Sequence, residues 1–161
     1  VVRSMPNLGA KSLSSMTTWI AKGGSNKKNN LTPAEKKAVK IIFSSFGEEL
    51  EVENEDMIDK ATAISGSGPG YIYFIADILT KQAIKFGFST EDSQKLIKQM
   101  MKGAMNTWDV SDATASELQK KVTSKKGTTE AGINSFKKNK LSTVLSRGVL
   151  AAYKRSKQLS K

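Results

Sequence analysis

The chain has 161 residues and a net charge of +11, from 26 lysines and arginines against 15 acids. It contains no cysteine, which excludes disulfides and thiolate metal sites, and no histidine, which removes the usual general base and metal ligand. No apolar stretch approaches the roughly 20 residues that span a membrane and no signal-peptide pattern opens the chain, so a soluble cytoplasmic protein is the expectation.

In chain order, "VVRSMPN" (1–7) begins abruptly on two β-branched residues, and Val1 does not look like a natural start. "TTWIA" (17–21) is a second strand candidate, followed by the polar loop "KGGSNKKNN" (22–30). "TPAE" then offers Thr32 as an N-cap, Pro33 at the first helical position and Glu35 closing a capping box. Ala38, Val39, Ile42, Phe43 and Phe46 form one apolar stripe, and Gly47 ends the helix. "ELEVE" (49–53) alternates like a strand. Strand, strand, helix, strand predicts the end of an α/β domain over residues 1–53.

From residue 54 to 161 the period is helical. Tyr71, Phe74, Ile75, Ile78 and Leu79 recur at helix spacing with apolar residues nearly all round, which predicts a deeply buried helix capped by Gly87. Leu96, Ile97, Met100, Met101, Ala104, Met105 and Trp108 mark the next helix, where the methionines read as core or subunit interface before ligand. Thr114 and Glu117 box a short third helix. Ile133 and Phe136 belong to a fourth, and Val144, Leu145, Val149, Ala152 and Tyr153 to a fifth. The fold class is therefore mainly α, a helical domain preceded by the tail of an α/β domain.

Three features bear on function. The stretch "SGSGPGYIYF" (65–74) spaces its glycines at 66, 68 and 70, with Tyr71 where G-x-G-x-x-G needs a third, and no GK[ST] occurs, so neither nucleotide fingerprint is met. The hydroxyl-rich loops "TAISGSGPG" (62–70) and "TSKKGTTEAG" (123–132) each lead into a helix N-terminus, where unpaired N–H groups and the helix dipole suit a carboxylate. Each reads equally as a cap with glycine for tight packing; together they suggest two walls of one polar pocket. Residues 111–161 hold twelve cations against three acids, which fits a nucleic-acid surface or a solvated lysine-rich face. The lysines are not interleaved with aromatics on which bases could stack, which favours the solvated face.

In this order and spacing, "RSMPN" (3–7), "ISGSGPGY" (64–71) and "VTSKKGTTEAG" (122–132) resemble pyrroline-5-carboxylate reductase over essentially the whole chain. The resemblance implies reduction of the C=N of 1-pyrroline-5-carboxylate to L-proline by hydride from NADPH or NADH. It implies a Rossmann domain of which residues 1–53 are the C-terminal remnant, and a helical dimerisation and substrate-binding domain over residues 54–161. It implies a homodimer, with assembly of dimers into a higher oligomer left open, a small-molecule substrate, and no nucleic acid, membrane or metal. The loop matching "GTT" would bind the substrate carboxylate through Gly127, Thr128 and Thr129, with Ser124 beside them. Glu55 would balance the ring nitrogen's positive charge and Thr62 would deliver or orient the proton. Met5, Pro6 and Asn7 would take a lesser part in binding NADP or NAD, whose main site lies upstream. The isolated chain is expected to be inactive. By the same resemblance the "SGSGPGY" glycines serve a tight turn into the buried helix beside the substrate pocket.

The sequence departs from the family's forms at several points. "SPGGTT" reads "SKKGTT", so Lys125 and Lys126 replace proline and glycine, at a cost in rigidity and in conformational freedom, and bring positive charge near an anion site. "LRDxV" reads "LQKKV" (118–122), "MPNTP" reads "MPNLG" and "GPAY" reads "GPGY". Two alternatives stay open: a reductase-like dimer scaffold whose chemistry has changed or been lost, and a basic helical nucleic-acid module.

Overall fold

The computed structural model describes residues 1–21 and 31–160; the polar loop predicted at 22–30 lies outside the described residues. Contacts divide the chain into two compact units, Val1–Tyr71 with Arg147–Lys161, and Ile72–Ser146.

The first unit is built on a three-stranded sheet of β1 (Val2–Met5), β2 (Ser15–Ala21) and β3 (Gly47–Glu51), in that order. β1 runs antiparallel to β2, with Arg3 opposite Ile20, and β2 runs parallel to β3, with Ser15 opposite Gly47. The parallel pair is joined through α1 (Pro33–Ser44), a crossover of the kind expected in an α/β domain. Its predicted start is present: Thr32 Oγ1 accepts the Glu35 N–H, and Glu35 Oε2 accepts the Thr32 N–H at 2.7 Å.

Gly47 does not cap α1, which already ends at Ser44. It opens β3 at φ +147°, where an added Cβ would stand 2.0 Å from the Ser15 carbonyl oxygen, so only glycine lets the two strand starts meet. The predicted stripe also narrows. Phe43 packs tilted against Trp19 and edge-to-face with Phe46, at centroid distances of 6.2 and 6.1 Å, whereas Ala38 and Ile42 face outward. β3 lies two residues earlier than the alternation predicted, and Glu49 and Glu51 take its more sheltered face while Glu48 is exposed. Glu49 accepts the Trp19 indole N–H at 2.6 Å and pairs with Lys40, and Glu51 pairs with Lys36, while Leu50 is exposed. The α1 lysines and the indole make an inward carboxylate affordable here.

Past Val52, Asn54 caps α2 (Glu55–Ala61), its side chain accepting the Met57 N–H. α2 runs directly into a π-helical turn, Thr62–Gly66, and then α3 (Gly68–Lys85). The core of this unit is Trp19, Val52, Ile58 and Ala63, with Thr17, Thr18 and Ser15 buried beside them.

The second unit holds the rest of α3 from Ile72, then α4 (Thr90–Asp109), α5 (Ala115–Lys121), α6 (Thr128–Lys138) and the start of α7 (Leu141–Leu159). The boundaries follow local signals. The Phe88 N–H reaches the Ala83 carbonyl and the Gly87 N–H that of Ile84, closing α3 with Gly87 at φ +97°. Thr114 and Glu117 form the predicted box on α5. The deep burial predicted for α3 is absent within the single chain: Phe74 is 67% and Ile78 49% exposed. Met100, Met105 and Trp108 of α4 are likewise about half open, and Ser93 alone among the described residues of this unit is buried. The apolar faces are present as read, but the described residues of the single chain leave them open.

Candidate functional site

The residues predicted for the site fall into two groups, one in each unit. In the first unit the π-helical turn replaces the predicted loop. The Ser67 N–H donates to the Thr62 carbonyl at 2.8 Å and the Gly70 N–H to that of Ser67 at 2.9 Å. These two N–H groups are therefore engaged along the helical path and do not point at a ligand. The glycines do not act as a set either. A Cβ on Gly66 would meet Met5 Cε at 2.7 Å, whereas Gly68 and Gly70 have nothing within 4 Å. A π turn frequently marks a functional position, because it redirects carbonyls and side chains out of the helical ladder.

Met5 and Asn7 anchor this turn. Asn7 Nδ2 donates to the carbonyl and hydroxyl oxygens of Ser65, each at 3.2 Å, while its Oδ1 caps the short turn that follows β1. Pro6 between them is exposed. The Thr62 hydroxyl donates to the Ile58 carbonyl at 2.8 Å, so its own proton is held by the preceding helical turn. Tyr71 likewise turns its hydroxyl to the Ala63 carbonyl.

Glu55, at the first position of α2, is paired with Arg3 of β1 through Oε2 and Nη1. Beyond it lie groups that the sequence reading did not single out. Asp59, 5% exposed, accepts hydrogen bonds from Ser156 and Ser160, and Arg3 approaches it. Asp56 accepts from the Tyr153 hydroxyl at 2.5 Å and pairs with Lys60 and Lys157. Lys60 first, then Tyr153 and Lys157, hold the Asp56 carboxyl well below the usual carboxylate range, and Asp56 in return raises both lysines. Spacing carried part of this signal, since Glu55 and Asp59 at i and i+4 share one face of a helix.

In the second unit Ser124, Gly127, Thr128 and Thr129 do come together. Ser124 Oγ lies only 2.3 Å from where a Cβ on residue 127 would stand, and the Gly127 N–H donates to the Ser124 carbonyl. Gly127 is the N-cap of α6 and no side chain caps it, while Thr128 and Thr129 are exposed on the first turn. Lys126, standing where the compared form has glycine, adopts φ +62°. That left-handed conformation costs a lysine more than a glycine, and Glu130 secures it by accepting the Lys126 N–H at 2.7 Å. A cleft of about 270 Å³ between α5 and α6 borders this loop through Thr123 and Glu130. A larger one of about 650 Å³, lined by Phe88, Leu96 and Met100, carries none of the predicted site residues and belongs to the open apolar face of α4.

Among the described residues no cluster of acids could hold a metal ion, and no helix is long and apolar enough to cross a membrane. Residues 55–159 match the family model for pyrroline-5-carboxylate reductase dimerisation. The chain is 32% identical over 161 residues to a pyrroline-5-carboxylate reductase of Staphylococcus haemolyticus, covering 100% of this chain and 57% of that protein. It is 33% identical to that of Pseudomonas aeruginosa, covering 99% and 56%. Among solved structures, the reductase of Coxiella burnetii superposes with a TM-score of 0.89 at 31% identity, over 99% of this chain and 57% of that one. The Plasmodium falciparum pyrroline carboxylate reductase with NADP bound gives 0.84 at 34%, over 99% and 63%. The chain thus spans little more than half the length of the curated relatives it matches. With the family's dimerisation region matched from α2 through α7, the chain belongs to the pyrroline-5-carboxylate reductase family.

Proposed function

We propose that the chain supplies the substrate loop and the dimer-forming helices of an enzyme that reduces 1-pyrroline-5-carboxylate to L-proline with NADPH or NADH. The observation that carries this reading is the start of α6. Gly127, Thr128 and Thr129 open it with no capping side chain, and Ser124 is packed against Gly127. Free N–H groups at a helix start and two nearby hydroxyls suit a small carboxylate. Residues 1–53 then act as the C-terminal part of the dinucleotide-binding domain, and residues 54–161 as the dimerisation and substrate domain.

The nicotinamide cofactor supplies the hydride; this chain's residues position and neutralise. Glu55 places a carboxylate beside the ring nitrogen, which carries positive charge when the imine is protonated. Thr62, whose proton is directed at the Ile58 carbonyl, keeps oxygen lone pairs with which to orient that N–H. An imine basic enough to arrive protonated asks for little acid catalysis, so the lack of histidine is no obstacle. Met5 and Asn7 contribute to the cofactor side by fixing the π turn against the end of β1. The acting form is a homodimer, because the open faces of α3 and α4 need cover. Use of NADP is supported by the NADP held by the Plasmodium falciparum protein.

Thr129→Ala tests the reading, in a protein that joins this chain to a dinucleotide-binding region. Losing a hydroxyl aimed at a carboxylate costs about 1.5–3 kcal/mol, so kcat/KM should fall on the order of ten- to a hundredfold. Unchanged steady-state kinetics would remove the α6 loop from the substrate site.

A further inference from the structure

Side chains from three distant parts of the sequence meet around one buried carboxylate in the first unit. Asp59 Oδ1 accepts hydrogen bonds from Ser156 Oγ at 2.9 Å and Ser160 Oγ at 2.6 Å, and Arg3 Nη2 stands 3.7 Å from the same oxygen. Ser160 Oγ also accepts from Arg3 Nη2 at 3.2 Å. One arm of the Arg3 guanidinium is thus held by Asp59 and Ser160, and the other, Nη1, is presented to Glu55 Oε2. A guanidinium is a planar, rigid fork, so fixing one arm fixes where the other points.

We propose that Asp59 is a positioning residue for Glu55. Its charge, oriented by Ser156 of α7 and Ser160 just beyond that helix, keeps Arg3 drawn to one side, and Arg3 in that position sets the Glu55 carboxylate. Without that pull the fork is released from its fixed side, and the orientation in which Nη1 meets Glu55 Oε2 is no longer set. The inference rests on the substrate role proposed above for Glu55. Helix packing alone would not ask for a charge here. An asparagine at 59 keeps Oδ1 for both serines and loses only the attraction for Arg3.

Asp59→Asn is therefore the discriminating change, made with and without Glu55→Gln in a protein that joins this chain to a dinucleotide-binding region. Alone it should raise KM for 1-pyrroline-5-carboxylate about three- to tenfold and leave KM for NADPH within about twofold; on the Glu55→Gln background its effect should shrink below about twofold. An equal effect on both backgrounds, or none on substrate KM, overturns the proposal and leaves the Glu55 role standing. A silent Glu55→Gln instead overturns the Glu55 role, and the proposal with it. Should Asp59→Asn not fold, Ser156→Ala with Ser160→Ala keeps the carboxylate but unfastens it, and the same cycle applies with the same outcomes.

Discussion

Replacing Phe74 by aspartate should turn the assembled protein into a folded monomer. Phe74 sits one turn before Ile78 on α3, and 67% of it is open in the single chain. An aromatic side chain buries about 150–250 Å², so about 100–170 Å² of Phe74 remains for a second copy to cover. At about 25 cal/mol per Å² that is about 2.5–4 kcal/mol, and a two-fold interface counts it twice, for about 5–8 kcal/mol. Each 1.4 kcal/mol is a factor of ten, so the dissociation constant should rise by at least about a thousandfold. Because Phe74 contributes little to its own chain's core, far-ultraviolet circular dichroism should stay close to that of the parent. Sedimentation equilibrium across a concentration series reads the change. An unchanged dissociation constant would show that the second copy does not seat on this face of α3.

Two further outcomes follow from local geometry. Gly47→Ala places a Cβ against the Ser15 carbonyl at an unfavourable φ and should cost more than about 3 kcal/mol in urea unfolding, whereas Gly70→Ala, with open space around it in a helix, should stabilise by up to about 1 kcal/mol. Equal effects would refute the account of Gly47 as the residue that lets the starts of β2 and β3 meet. Glu35, Glu117 and Asp56 all hold their carboxyls below the usual range, through the Thr32 and Thr114 caps and the Lys60 pair respectively. Depressed folded-state values mean that their stabilisation is present above about pH 4.5 and is lost as pH falls further. Melting temperature should therefore drop on acidification, and Thr114→Ala should flatten part of that drop.

The sequence was most legible where the cause of structure is local. Thr32 with Glu35 and Thr114 with Glu117 each satisfy helix-end N–H groups within four residues, so the pattern and the geometry coincide. Gly87 closing α3 is of the same kind. Legibility failed where a partner lies far along the chain. Alternation identified β3, but that Glu49 and Glu51, and not Leu50, take its sheltered face is decided by Lys36, Lys40 and Trp19. Asp59 looks like an ordinary helix-surface acid until Ser156 of α7 and Ser160 just beyond it come to it. "TAISGSGPG" reads as a loop because glycine, proline and serine are the usual loop residues. An i→i+5 bond such as Ser67 N–H to the Thr62 carbonyl leaves no mark on residue type. The apolar period of α3 was read correctly, but periodicity does not say whether the cover comes from the same chain.

The central claim is that this chain carries the substrate half of a pyrroline-5-carboxylate reductase and depends on a dinucleotide-binding half for the hydride. NADPH oxidation with 1-pyrroline-5-carboxylate, followed for the 161 residues alone and for the same residues joined to such a half, tests it most directly. The account predicts turnover by the joined protein and none by the chain alone. Turnover by the chain alone, or a folded, dimeric joined protein that oxidises no NADPH, would contradict it.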